Sequence, residues 1–299
     1  MTENATITLD FGCQSASVAP AIGGALAGYT MVVDGARIPL LRETPETGTA
    51  LSVLDHACFP LVPYSSRIRH GRFRFGSREV LLPLNFGAHP HSIHGHGWQC
   101  SWMVVTQKAH KVTLHYKHAP DAWPWAYRAS QTITLDDNGL SLELSVTNLA
   151  DSAMPIGLGF HPYFPRARAA RLKANVSSFW LMDDDVMPVE CVKLPASLDL
   201  PNGVALADSV LDNGFEGWDG IARIDWPASG IGLDLSASPL LSRLVVYAPA
   251  GQDFFCVEPV SHMTDAFNRA AGGAADTGMH VLAPGETLTA WMRLSPRGL

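Results

Sequence analysis

The chain has 299 residues, is 47% hydrophobic and only 16% charged, and carries a formal net charge of -7. That is apolar material for a large core, and a charge balance that excludes a nucleic-acid footprint. No apolar run reaches bilayer length, and Met1-Thr2-Glu3-Asn4 lacks the basic-then-apolar order of a secretory leader, so no signal peptide and no membrane contact are expected. The five cysteines (Cys13, Cys58, Cys100, Cys191 and Cys256) are odd in number, scattered, and never in a C-x-x-C pair. Reduced thiols in a cytoplasmic protein fit that pattern.

Period-two alternation dominates. In chain order, Arg72-Phe73-Arg74-Phe75, a Gly76-Ser77 turn and Arg78 to Leu82 read as a hairpin with its arginines on one face. Strands are expected near 100–106 and 110–117. Gln131 to Leu135 and Leu140 to Thr147 form a second hairpin, with Asn138-Gly139 expected to supply the positive φ angles of the turn. Further strands are expected near 155–160, 221–226, 231–235, 243–247, 253–258 and 287–294. Only 205–212 and 264–270 have room for a short helix. The 21 prolines and 26 glycines are expected to mark strand ends. An all-β chain with this many alternating strands needs a facing sheet, so one large antiparallel β-sandwich spanning 1–299 as a single domain is expected.

Two segments carry the chemistry. Phe160-His161-Pro162-Tyr163-Phe164 offers a histidine, and Phe255-Cys256-Val257-Glu258-Pro259 offers a carboxylate. Brought together, they form an acid–base pair suited to a neutral polyol, where protons move and nothing is oxidised. Taken alone, each is as well explained as a structural residue at a strand end, and Cys256 as a small buried hydrophobe. A third segment, His89-Pro90-His91-Ser92-Ile93-His94-Gly95-His96-Gly97-Trp98, has four histidines in eight positions. His-x-His invites a metal, but Gly97 to Lys108 contains no Asp or Glu to complete a ligand set, so no metal is expected. Gly95 and Gly97 suggest a loop whose backbone approaches a ligand, and sugar contact ranks ahead of a bland surface loop. Trp98 reads as core or stacking platform, and Trp102 as core.

With these residues in view, the chain resembles the aldose 1-epimerase (galactose mutarotase-like) family. The resemblance rests on Ser66-Arg67-Ile68 with Gly71-Arg72-Phe73, His91-Ser92-Ile93-His94-Gly95, Gly159 to Phe164, Val257-Glu258-Pro259 and Asp265-Ala266-Phe267-Asn268, in that order. Leu211-Asp212-Asn213-Gly214-Phe215 looks like the family's aspartate-containing sugar-binding turn. The resemblance implies a β-sandwich with a sugar cleft that interconverts the α and β anomers of a free aldose without a cofactor. It implies His161 as general acid and Glu258 as general base, with Arg67, His94 and Asp212 on the substrate. Tyr163 is a further substrate-binding candidate, with core packing as its alternative. Ser66 stands where the family usually has Asn, and His94-Gly95-His96 where it usually has His-Gly-Gly. Both differences touch the sugar rim and bear on which sugar is bound.

In such a reaction a carboxylate takes the C1 hydroxyl proton while an imidazolium protonates the ring oxygen, and the roles then reverse. Activity would follow a bell-shaped pH curve, with the carboxylate expected to hold the imidazolium proton to higher pH. The expected partner is a small-molecule sugar, and a homodimer is left open. Two other functions compete: a carbohydrate-binding protein without catalysis, and an epimerase for a phosphorylated sugar suggested by the local run of Arg67, Arg69, Arg72, Arg74 and Arg78. A sandwich-type polysaccharide lyase or hydrolase ranks third.

Overall fold

The alternating strands assemble into two large antiparallel sheets. The computed structural model describes residues 6–45, 52–207 and 209–299; the leader reading of Met1 to Asn4 lies outside the described residues. In the 11-stranded sheet the spatial order is Ile7–Phe11, Gln14–Ala19, Ala25–Val33, Cys58–Leu61, Gly159–Pro165, Phe254–Val260, Arg243–Ala248, Leu211–Glu216, Ser178–Met182 and Pro188–Lys193, with Ala36–Pro39 beside Ala25–Val33. The 9-stranded sheet runs Met103–Lys108, Lys111–His118, Tyr127–Asp136, Gly139–Asn148, Thr287–Gly298, Ile231–Ala237, Ile221–Trp226, Arg171–Ala174 and Val204–Ala205.

Alternation explains why the sheets pack. Along Tyr127–Asp136 every second residue is buried, and Ile133 and Leu135 join Leu142, Leu144 and Met292 in one core. The opposing sheet supplies Phe160, Phe164, Phe255 and Val257 to the same core. Burying one such aliphatic or aromatic side chain contributes about 1.5–3 kcal/mol. Among the described residues no helix is long and apolar enough to cross a membrane.

Three sequence expectations need correction. The described residues of 205–212 form no helix: Val204–Ala205 and Leu211–Glu216 are strands, because pairing with Arg171–Ala174 and Arg243–Ala248 overrides a weak helical pattern. The other expected helix forms at Ala266–Ala271. In the long hairpin Asp136 pairs with Gly139, so the turn is centred on Asp137 and Asn138. Only Gly139 takes a positive φ, 110°, and the Asp136 carboxylate accepts the Asn138 N–H at 2.8 Å. Finally, Pro60, Pro162 and Pro259 lie inside central strands and do not end them. Between Gly159–Pro165 and Phe254–Val260 the register shows no partner from Phe160 through Pro162, so the missing proline N–H falls where the ladder is already interrupted.

Candidate active site

Strand alternation decides what faces the cleft. Phe160, Phe164, Phe255 and Val257 turn into the core between the sheets. The intervening residues His161, Tyr163 and Glu258 emerge on the opposite face and line a cavity of about 540 Å³. Register then pairs them. Gly159 lies opposite Val260 and Tyr163 opposite Cys256, which sets His161 across from Glu258. His161 Nε2 stands 3.4 Å from Glu258 Oε1, and both side chains are almost fully buried. Cys256 is buried too, and burial pushes its thiol well up, so it stays a protonated, unreactive neighbour.

Burial reverses one expectation about this pair. Removal from water, reinforced by Arg42, pushes His161 down to about 3. Removal from water, reinforced by Asp212, pushes Glu258 well up. Both charged forms are disfavoured, so the carboxylate does not hold the imidazolium proton to higher pH. The desolvation of two groups outweighs their mutual attraction. The pair therefore holds one proton, which rests on Glu258 with His161 neutral.

His94 completes a trio with these two, their nearest ligand-type atoms all within 4.8 Å of one another. Two imidazoles and a carboxylate suggest a metal, yet the donor set argues for proton transfer. His94 Nδ1 accepts the Ser66 backbone N–H at 3.0 Å. The neutral ring therefore carries its hydrogen on Nε2 and offers the cleft a donor, whereas a metal needs a lone pair there. Burial pushes His94 well down, which keeps it neutral.

The rim is held from several sides. Arg67 donates from Nη2 to Asp212 Oδ2 at 3.0 Å and from Nε to His89 Nε2 at 3.3 Å. Its carbonyl accepts the Asp265 N–H at 2.9 Å, and Asp265 Oδ1 accepts the Arg69 N–H at 3.0 Å. Asn268 adds a bond to the Arg72 carbonyl at 2.8 Å. The Asp265–Asn268 motif thus fastens the segment that carries Arg67. Ser66 and His94 both sit in the left-handed region, at φ 53° and 60°, and the Ser66 carbonyl accepts the His94 N–H at 2.8 Å. Strain of this kind, about 1–3 kcal/mol per residue, persists only where surrounding bonds enforce it.

All six sequence-derived residues, His161, Glu258, Arg67, His94, Asp212 and Tyr163, line this one cavity. Asp212, however, belongs to a strand and not a turn: Asp212, Asn213 and Gly214 pair with Tyr247, Val246 and Val245. Sheet pairing here overrides the local turn preference of Asp-Asn-Gly. The histidine loop divides its residues. His89 and His94 face the cavity, His91 is fully buried, and His96 turns away to meet the Tyr127 hydroxyl at 2.7 Å. Trp98 is buried and stacks on Phe59, and Trp102 is core.

Gly95 and Gly97 serve backbone approach, but to Val62 and not to a ligand. A Cβ on Gly95 would lie 2.3 Å from the Val62 carbonyl oxygen, and one on Gly97 2.3 Å from Val62 Cγ1. At φ +70° Gly95 also needs the left-handed region. Gly95→Ala is expected to cost roughly 2 kcal/mol or more of stability and to displace His94. Thermal unfolding of the variant checks this, and an unchanged melting temperature would refute it.

Arg42, Phe59, His89 and Tyr247 also line the cavity without having been singled out as site residues. For Tyr247 a signal existed: it alternates with Val245 on a strand whose partner carries Glu258. Arg42 follows the apolar pair Leu40-Leu41 with no local mark of function.

The aldose 1-epimerase family model matches residues 5–295. An uncharacterised Escherichia coli K12 protein, YphB, is 36% identical over 264 residues, covering 86% of this chain and 88% of that protein. A solved Escherichia coli K12 structure named for the same family superposes with a TM-score of 0.88 at 32% identity, covering 99% of both chains. A galactose mutarotase-like protein from Clostridium acetobutylicum gives a TM-score of 0.86 at 20% identity, covering 99% of this chain and 96% of that one, which speaks to fold alone. With the match spanning nearly the whole chain and the strands and cleft arranged as described, the chain belongs to the aldose 1-epimerase family.

Proposed function

We propose that the protein is a mutarotase that interconverts the α and β anomers of a free, uncharged aldose. The observation that carries this reading is the buried His161–Glu258 pair, 3.4 Å apart, facing the cleft. Ring opening removes a proton from the C1 hydroxyl and adds one to the ring oxygen. These two oxygens share one carbon, so a closely spaced acid and base suit them. The proton that rests on Glu258 first passes to His161 Nε2, 3.4 Å away, and Glu258 then accepts from the hydroxyl as His161 donates to the ring oxygen. The proton then resides on Glu258 and His161 is neutral. Reclosure on the other face of C1 runs the exchange backwards. One proton stays with the pair throughout, and neither residue waits on solvent. Burial disfavours the ion-pair form, so the resting pair is neutral and the sugar is met first by protonated Glu258.

The rim supports a neutral sugar over a phosphorylated one. The Arg67 charge is already balanced by Asp212 at 3.0 Å. The remaining N–H groups of Arg67 and the Nε2–H of His94 suit sugar oxygens, with Asp212 accepting from hydroxyls. A role in binding alone would not need the acid–base pair. The functional unit in this reading is the whole chain, since residues from Arg42 to Glu258 build one cleft.

Anomer-exchange NMR on free and phosphorylated hexoses and pentoses, without added cofactor, tests the proposal. At least one free aldose should equilibrate faster than its spontaneous rate. If the folded protein accelerates none, the enzyme reading fails; acceleration confined to sugar phosphates would replace the neutral substrate with a charged one. Arg67→Ala is expected to weaken binding of the confirmed sugar by on the order of 1–3 kcal/mol, because it leaves sugar oxygens and Asp212 without a partner. Calorimetric titration reads this directly, and wild-type affinity would assign Arg67 a structural role.

A further inference from the structure

A catalytic imidazole is ordinarily oriented by a hydrogen bond from its second ring nitrogen. The buried Nδ1 of His161 has no such partner among the described residues. The ring is instead layered. Tyr163 stacks on it with centroids 4.7 Å apart and planes 16° from parallel, and Phe59 lies 4.7 Å away, tilted by 32°, on an adjacent side that also brings it within 6.0 Å of Tyr163. The Arg42 guanidinium covers Tyr163 at 3.9 Å from the ring centroid, and also lies 4.7 Å from that of Phe254. One ring face cannot hold both His161 and Arg42, so Tyr163 sits between them. Arg42 is itself fixed. Its Nη2 donates to the His56 carbonyl at 2.8 Å and to the Leu54 carbonyl, and its backbone N–H donates to the Tyr163 carbonyl at 2.8 Å.

We infer that Arg42 and Tyr163 are positioning residues for the acid. The column Arg42–Tyr163–His161, buttressed by Phe59 against the side of the imidazole, fixes the plane of the imidazole in place of the missing Nδ1 bond. This rests on the reading that His161 and Glu258 exchange protons with a sugar. A cation over an aromatic face and offset aromatic stacking are each attractive, and a planar guanidinium suits such a face better than an ammonium. Tyr163 thereby acts through its ring on His161 and is not a sugar platform. Arg42 has its charge turned onto aromatic rings and carbonyls and is not reserved for an anionic substituent.

The test is a double-mutant cycle read in kcat and KM. Tyr163→Leu should lower kcat roughly 10- to 100-fold, the scale of a misplaced catalytic group, with KM changed less than about three-fold. Tyr163→Phe keeps the ring and should rescue most of that loss. Arg42→Gln should lower kcat by a smaller factor. Combined with Tyr163→Leu it should add little, because Arg42 works through Tyr163. Arg42→Lys, which keeps the charge but loses the planar stack and the two-carbonyl anchor, should also lower kcat and guards against a Gln variant that does not fold. Full kcat in Tyr163→Leu or in Arg42→Lys would overturn the column. So would multiplicative effects in the double variant, or a rise confined to KM, which would make Arg42 a sugar contact. Failure of the underlying reading looks different: no turnover in the wild type, or full turnover after loss of Glu258. In that case the ring ¹⁵N signals of His161, compared in wild type and Tyr163→Leu, still decide the column, since only a held ring keeps its signal sharp and loses that sharpness in the variant.

Discussion

Glu258→Gln is expected to lower turnover by roughly 10²–10⁴-fold, the usual contribution of a general acid–base group. The amide keeps the shape of the side chain and cannot take a proton from the C1 hydroxyl. The fold should not suffer. Burial already holds Glu258 towards its neutral form, with its proton released only well above the ordinary carboxylate range, so a neutral isostere fits the same surroundings. Two measurements therefore move apart: kcat falls steeply, while the melting temperature at neutral pH stays level or rises. Near-normal anomer exchange in the variant would remove Glu258 from the mechanism. A large fall in melting temperature would contradict the claim that burial favours the uncharged group.

Strand positions were legible because burial on one face writes itself as period two. Gln131 to Leu135 and Leu140 to Thr147 fall within the paired strands Tyr127–Asp136 and Gly139–Asn148. The short Arg72–Phe75 and Arg78–Leu81 hairpin also forms, with Phe73 buried and Arg72 and Arg74 exposed. The central strands were harder to read. Gly159–Pro165 is buried along nearly its whole length, and so is Phe254–Val260, so neither shows clean alternation, and each contains a proline. What identified His161 and Glu258 was the family resemblance, since the register that joins them is a long-range property. The same limit hid Arg42. Its role follows from lying over Tyr163, and nothing near Leu40-Leu41-Arg42 encodes that meeting. The error over the pair's protons has a related origin. Sequence shows a histidine and a carboxylate that attract; only the fold shows that both lie out of water, where desolvation dominates.

Acid should unfold this protein well before its carboxylates titrate as a group. Of the buried histidines outside the reacting pair, three are pushed furthest towards the neutral form: burial pushes His96 down to about 3 and His262 down to about 4, and pushes His94 well down, with His56 and His91 lowered too. The hydrogen bonds agree. His94 Nδ1 and His262 Nε2 each accept a backbone N–H, from Ser66 at 3.0 Å and Ser65 at 3.1 Å, and protonation would break those bonds. In the unfolded chain each ring takes a proton below its ordinary 6.5. Their stabilisation is therefore complete above that value and is lost as pH falls towards the folded values. At full slope each is worth about 1.4 kcal/mol per pH unit, and the three together about 4. The reacting pair adds almost nothing in this range. Folded, it holds one proton, on Glu258; unfolded, it holds one on His161. Against a typical total stability of about 5–15 kcal/mol, two pH units of such loss bring unfolding to roughly pH 4–5. The melting temperature should thus fall steeply from pH 6.5 to 4.5, with at least about three protons taken up per molecule on unfolding near pH 5. His96→Gln, whose amide can still meet the Tyr127 hydroxyl, should flatten that slope by up to about a third. A melting temperature constant from pH 7 to 5, or an unaltered slope in His96→Gln, would show that these rings are not buried neutral. The acid limb of the rate profile should follow the loss of fold and not the protonation of Glu258, so activity and near-ultraviolet circular dichroism should decline together.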